Sequence, residues 1–372
     1  MAPKRKTDAD RLRDAEEIIR KKNAELVNAK RDLQRAQREN DTAEAIRQEI
    51  WNLAARPPEP PEWIGGKGGA SGKRGSPVLF VSDIHRGEVV DPDQVGGVNK
   101  YNSAISKQRL KRLGDVTVDL CFNHMGRAKA EYPGIIVLLG GDMIGGNIHE
   151  ELLATNDRTS KQAVNELTDE LGSLLEMLAS KFGRVFAPGV VGNHGRSTKK
   201  SWMKNRVYEN YDWSIYCNLE REFRRDKRIT VFGSNEADFH FTAFGHRYML
   251  THGDSLGVKG GDGIIGSLGP IMRGALKVGR SEAQIGRDFD TLCIGHWHQY
   301  ITLPGLVVNN SVKGYDEYAR LALRAAYSRP SQALWFTHPE HGITAHWQVY
   351  LESLRGVPDA NAWVTWKTNT LK

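Results

Sequence analysis

The sequence predicts an α/β layered fold preceded by a helical, coiled-coil-like N-terminal arm. Three observations carry this expectation. From Pro77 onward, short apolar runs alternate with polar, helix-like segments, the pattern of a sheet with covering helices. Residues 8–56 contain neither Gly nor Pro and are rich in Ala, Glu, Lys, Arg and Gln, which are strong helix formers. Between them, residues 57–76 hold Pro57, Pro58, Pro60 and Pro61 followed by a Gly-rich stretch, a linker stiff in its first half and loose in its second.

The expected organisation is therefore a helical arm at 1–56, a linker at 57–76, a catalytic domain at 77–350 and a tail at 351–372. In the arm, Leu12, Ile19, Leu26 and Leu33 recur every seven residues, with Ala15, Ala29 and Ala36 at the second position and Lys22 intruding. Heptad spacing favours helix pairing, so residues 8–56 are expected to self-associate or dock on a partner. Asp41 and Glu44 suit a capping-box start to a second helix, whose face would be Ile46, Ile50 and Leu53.

In the domain, residues 78–81, 135–139, 185–187, 248–251 and 291–294 read as buried strands, and 107–129 and 159–182 as helices. At 372 residues, with 39% hydrophobic and 26% charged side chains, the chain matches globular usage. The longest apolar run, 135–139, falls far short of the roughly 20 residues of a membrane span, so no membrane partner is expected. The opening Met-Ala-Pro-Lys-Arg-Lys lacks an apolar signal region. Cys121, Cys217 and Cys293 are scattered and odd in number, the usage of free thiols in a reducing, cytoplasmic compartment. A net charge of +7 favours polyanionic partners such as nucleic acid.

The residues just beyond each strand carry the chemistry. Asp83-Ile84-His85, Gly140-Gly141-Asp142, Gly192-Asn193-His194, His252-Gly253-Asp254 and Gly295-His296-Trp297-His298 come at or near the carboxyl ends of the five strands. Ligands of open α/β sheets bind at that edge. Alternate residues of an extended segment face one side, which would aim Asp83 with His85, and His296 with His298, into one cavity. Carboxylate, amide and imidazole donors without thiolate suit borderline divalent metals. Two such ions about 4 Å apart repel and need a shared anion, for which Asp142 is the natural bridge.

This ordered series resembles the calcineurin-like metallophosphoesterase family, with its D-x-H, G-D, G-N-H-[ED], H and G-H-x-H elements, over roughly residues 78–311. The resemblance implies a two-sheet α/β/β/α sandwich and two divalent metal ions, manganese first, with Fe, Zn, Co and Mg as alternatives. Asp83, His85, Asp142 and His298 would hold one ion; Asp142, Asn193, His252 and His296 would hold the other. A metal-bound hydroxide would attack phosphorus, and His194 would protonate the leaving oxygen. One position departs from the pattern: where the family places an acid after the histidine, which commonly orients it, this chain has Gly195. Another group must then orient His194, or the ring acts less efficiently.

Asp83-Ile84-His85-Arg86-Gly87 has a glycine two residues beyond the histidine, as in the family's DNA-repair nuclease branch. Arg86 and Arg196 adjoin site residues and are candidate phosphate contacts. The segment between His252 and His296, with Lys259, Arg273, Lys277, Arg280 and Arg287, is expected to be a Gly-rich insertion that lies over a polyanion or forms an ordinary surface loop. Trp202, Tyr208, Tyr211 and Trp213 interleave with Lys199, Lys200, Lys204 and Arg206; they suit stacking on unpaired bases or packing in the core. The sequence reading is thus a nuclease acting on DNA or RNA. The alternatives are a phosphatase or phosphodiesterase for small nucleotides or phosphoproteins, and a helical-arm scaffold with a vestigial metal site.

Overall fold

The computed structural model describes residues 75–124, 132–257 and 267–353, together with Lys22, Lys30, Pro61 and Trp63. The heptad arm, most of the linker, Lys259 with the glycines at 260–263, and the tail beyond 353 lie outside the described residues. The chain divides into two compact units, 1–58 and 59–372.

The strands of the second unit form two sheets. One has the order β11-β10-β1-β2-β3-β4 and the other β5-β6-β7-β9-β8. In the first, β1 (Ser76–Val81), β2 (Ile135–Leu139), β3 (Val185–Gly189) and β4 (Ile229–Gly233) run parallel, while β10 (Ser331–His338) and β11 (Gly342–Tyr350) close one edge antiparallel. In the second, β6 (His246–Thr251), β7 (Thr291–Ile294) and β9 (Leu306–Val308) are parallel, flanked by antiparallel β5 (Asp238–Ala243) and β8 (Ile301–Leu303). All five strands expected from sequence are present.

The period of two along each strand distributes its side chains between cores. Leu79 and Val81 of β1 join Val137 and Leu139 of β2 under helices, with Leu167, Leu171 and Leu178. Val78 and Phe80 face the other way, meeting Phe241, Tyr248 and Cys293 of the second sheet. A third core sets Met249, Leu292 and Ile294 against Ile271. The layers are helix, sheet, sheet, helix.

The helices are α1 (Ser103–Asp119), α2 (Glu150–Thr155), α3 (Ser160–Phe182), α4 (Tyr211–Phe223), α5 (Leu268–Gln284) and α6 (Glu317–Leu321), with a short π-helical turn Leu120–His124 after α1. The chain enters α3 through Thr159, whose hydroxyl accepts from Gln162 N while the Gln162 side chain accepts from Thr159 N, a reciprocal capping box. Asn102 and Asn210 cap α1 and α4. Part of the expected loop between His252 and His296 is a helix, α5, with Ile271 and Gly274 buried. No helix among the described residues is long and apolar enough to cross a membrane.

Candidate metal centre

The parallel strands end at one edge, and their loops lock together through the backbone. Asp83 N donates to Gly141 O and His85 N to Asp142 O, both at 3.0 Å. Gly295 N donates to His252 O at 2.9 Å, and Val312 N to Asp83 O at 3.1 Å, so both sheets feed one site. Gly141 has φ +86°, and a Cβ there would lie 2.8 Å from the Gly192 Cα. Only a bare glycine lets the second and third loops approach so closely.

Strand alternation does not aim the ligands. Asp83 and His85 both have φ +53°, and Asp142, His296 and His298 have φ of 50°, 64° and 50°. β1 ends at Val81, and Asp83 and His85 just beyond it turn left-handed. Of nine non-glycine residues with positive φ among those described, five are these site residues. Each such turn costs an L-residue about 1–2 kcal/mol, and such strain persists where surrounding packing enforces it. The pairing of Asp83 with His85 and of His296 with His298 therefore comes from left-handed turns, not from an extended segment.

The side chains converge. His298 Nε2 lies 3.2 Å from Asp83 Oδ1 and 3.1 Å from His85 Nε2. His252 Nε2 lies 3.1 Å from Asp142 Oδ2 and 3.2 Å from Asn193 Oδ1. Three groups could each hold a metal ion: Asp83 with His85 and His298; Asp142 with His252 and His296; and His85, Asp142 and His194 between them. Asp142 Oδ2 also lies 3.9 Å from His85 Nε2, which puts this carboxylate between the first two groups.

Three imidazoles are oriented alike. A carbonyl only accepts, so His252 Nδ1 donates to Gly140 O at 2.8 Å and His194 Nδ1 to Gly145 O at 3.0 Å. His85 Nδ1 donates to Glu88 Oε1 at 2.7 Å. In each ring Nε2 is left for the site. For neutral rings this creates a conflict. The His252 Nε2 lone pair faces two acceptor oxygens. A cation among these donors resolves it, and the residues fit divalent ions on that ground.

Charge tells the same story. Burial opposes ionisation of Asp142, yet His252 and His194 hold its carboxyl well below the usual range. Burial would lower the His252 imidazole, but the adjacent Asp142 carboxylate pushes it up to about 10. Burial takes His85 down to about 4, helped by Lys313. Burial, then His252, does the same to His296. Asp83 stays below its usual value despite burial through the His298 hydrogen bond.

Arg86 is not a substrate contact. It is 1% exposed, donates to Ser103 O and pairs with Glu170, so its guanidinium is committed beneath the site. Arg196 sits on the site's rim, donating from NH1 to Asn193 O at 3.0 Å and from Nε to Thr198 O at 3.1 Å. It lines a shallow surface depression with Asn193, Ser201, Trp202, Arg206 and Glu209. Trp202 is 53% exposed. Tyr208 and Trp213 instead pack edge to face at 5.3 Å, and Tyr211 lies against the helix-side core. Lys199, Lys200 and Lys204 are exposed.

Three residues that shape the site are absent from the sequence reading. Asp212, at the start of α4, accepts from Asp142 N and Gly192 N at 2.9 Å and from Met143 N at 3.1 Å. Burial, then Asp142, raises its carboxyl to about 6. Glu88 and Lys313 form a buried pair, Nζ to Oε2 2.6 Å, behind His85 and His194. Glu88 follows the first motif by three residues and could have been suspected from that spacing; Asp212 and Lys313 come from distant segments.

No protein-family model matches the chain, and no curated protein matches it. Among solved structures, 14 chains match. One is a putative 5'-nucleotidase from Staphylococcus aureus in complex with alpha-ketoglutarate, at 11% identity and a TM-score of 0.33, covering 77% of this chain and 56% of that one. The chain thus spans little more than half the length of that protein, and a TM-score this low carries no shared activity.

Proposed function

We propose that the chain is a two-metal phosphoesterase of the calcineurin-like kind, acting on phosphodiesters of nucleic acid. The observation that carries this reading is the Asp142 carboxylate set between two donor groups, with Asp83, His85 and His298 on one side and Asn193, His252 and His296 on the other. Two divalent ions held there, manganese being the first to try, would activate water at neutral pH and neutralise phosphoryl charge.

The chain's own residues do the rest. Burial opposes protonation of His194, but the Asp142 and Glu88 carboxylates beside it raise its pKa above the ordinary value, which favours the protonated ring that a general acid needs. Nδ1–H is held by Gly145 O, which leaves Nε2–H for the substrate. As water oxygen bonds to phosphorus and gives up a proton to bulk solvent, the bond to the leaving oxygen breaks, and that oxygen takes its electron pair and the Nε2 proton. No covalent enzyme intermediate is needed.

The nucleic-acid reading rests on the depression beside Asn193. An exposed Trp202 beside Arg196 is suited to stack one unpaired base and meet its phosphate. The test is turnover by purified protein with Mn, Mg or Zn on single- and double-stranded DNA, RNA, bis-p-nitrophenyl phosphate and p-nitrophenyl phosphate. Cleavage of polymers and the diester supports the reading. Activity confined to the monoester would make it a phosphatase, and no turnover with both ions bound would leave only a scaffold.

A further inference from the structure

We infer that Glu88 is the positioning carboxylate of His194, standing in from the first loop for the acid that Gly195 lacks. The inference rests on the general-acid role proposed for His194. Glu88 is 6% exposed. Its Oε1 lies 2.7 Å from His85 Nδ1 and 3.4 Å from His194 Nδ1, whose proton it shares with Gly145 O at 3.0 Å. The two rings meet edge to face at 4.5 Å. One oxygen thus faces both Nδ1 atoms, and both Nε2 atoms are turned away from it, towards the site.

The other acid near this loop has a different task. A Cβ at Gly195 would lie 2.3 Å from Asn210 Oδ1 and 2.7 Å from Asp212 Oδ1, so these two side chains fill the space a larger residue there would need. The Asp212 oxygens, however, accept backbone N–H groups of Asp142, Met143 and Gly192. Asp142 Oδ1 takes His194 N, which fixes the backbone and not the ring. Among the described residues, Glu88 is the acid paired with the His194 ring.

The surroundings are built for this carboxylate. A Cβ at Gly145 would come 3.0 Å from Glu88 Oε1, so a bare Cα makes room for it. Behind it, Lys313 Nζ holds Oε2 at 2.6 Å and Asp316 Oδ2 at 2.8 Å, with Lys313 only 3% exposed. A buried lysine between two carboxylates fixes Glu88 as an anion and restrains its rotation. Because Oε1 also orients His85, the same residue ties the general acid to a candidate metal ligand.

The test is a double-mutant cycle on manganese-loaded protein, with metal content measured for each form: wild type, Glu88→Gln, His194→Ala and the double variant. Glu88→Gln is expected to lower kcat about 10- to 100-fold on a dinucleotide, less on bis-p-nitrophenyl phosphate, and less than about 2-fold further in the His194→Ala background. An equal loss on both substrates, or an undiminished loss in that background, would overturn the inference and assign Glu88 to His85 alone. Ring orientation is read apart from turnover from the His194 nitrogen resonances of the protein loaded with diamagnetic zinc. Wild type is expected to carry its proton on Nδ1 in the neutral ring, and Glu88→Gln, left with Gly145 O alone at that nitrogen, to show a larger Nε2–H fraction. An unchanged tautomer overturns the positioning role whatever the activity. If the tautomer shifts but the wild type hydrolyses nothing, the phosphoesterase reading falls instead.

Discussion

Asp142 Oδ2 stands 3.1 Å from His252 Nε2, while the other nitrogen of that ring is already given to Gly140 O at 2.8 Å. The contact therefore requires a cation on the Nε2 side: a second proton on the ring, or a metal shared between the two residues. Asn193 Oδ1, a further acceptor 3.2 Å away, makes the same demand.

Asp142→Asn is expected to lower occupancy of both ions and to abolish measurable turnover, because an amide supplies no anion to bridge two dications. Elemental analysis checks the first half. Unchanged stoichiometry of two ions would remove Asp142 from the bridging place.

His194→Ala is expected to keep its metal and lose about 10²- to 10⁴-fold in kcat on alkoxide leaving groups. The defect should shrink on p-nitrophenolate esters, whose leaving oxygen needs little protonation. Steady-state kinetics on the two substrates decide it, and an equal defect on both excludes the general-acid role.

Metal-free protein offers a pH test with a definite sign. The folded-state pKa of His252 is raised to about 10 from 6.5, so its stabilising contribution is complete below pH 6.5 and lost as pH rises through 10. In chelator-treated protein, the gap in thermal midpoint between wild type and His252→Gln should be widest near pH 6 and close towards pH 10. A gap that widens over this range would contradict the charge assignment.

Asp212→Asn tests the loop scaffold. The carboxylate accepts three backbone N–H groups at 2.9–3.1 Å, and an amide must turn its NH2 towards at least one of them. The expected cost is about 1–3 kcal/mol of stability, measured by denaturant unfolding, with weakened metal retention because Asp142 and Gly192 are held from this side chain.

Trp202→Ala should raise KM for single-stranded oligonucleotides about 10-fold or more, the effect of losing about 1–3 kcal/mol of base stacking. Turnover of bis-p-nitrophenyl phosphate should stay within about 2-fold. Equal effects on both would mean that Trp202 supports the loop and not a base.

The ligand clusters were legible because each is local: two or three donors within a few residues, directly after an apolar run whose composition already marks a buried strand. That much comes from neighbouring residues, and so does the alternation of strands and helices. Strand β10, with its buried Trp335, and strand β11 pair antiparallel with each other at the sheet edge, and nothing local marks them as the partners that complete the first sheet. The means by which Asp83 reaches His85 was not legible either, since a left-handed turn at an acidic or imidazole residue is imposed by the packing around it. Arg86 beside the motif reads as a phosphate contact, yet its partners Ser103 and Glu170 come from α1 and α3, and burial against them decided its role. Glu88 meets Lys313 across 225 positions of chain, and Asp212 reaches Asp142 across 70. Contacts at such separations exist only once two sheets have closed on each other, because their geometry depends on every element between them. The sequence by itself determined which donors gather at the strand ends; tertiary packing decided how they are aimed, charged and held.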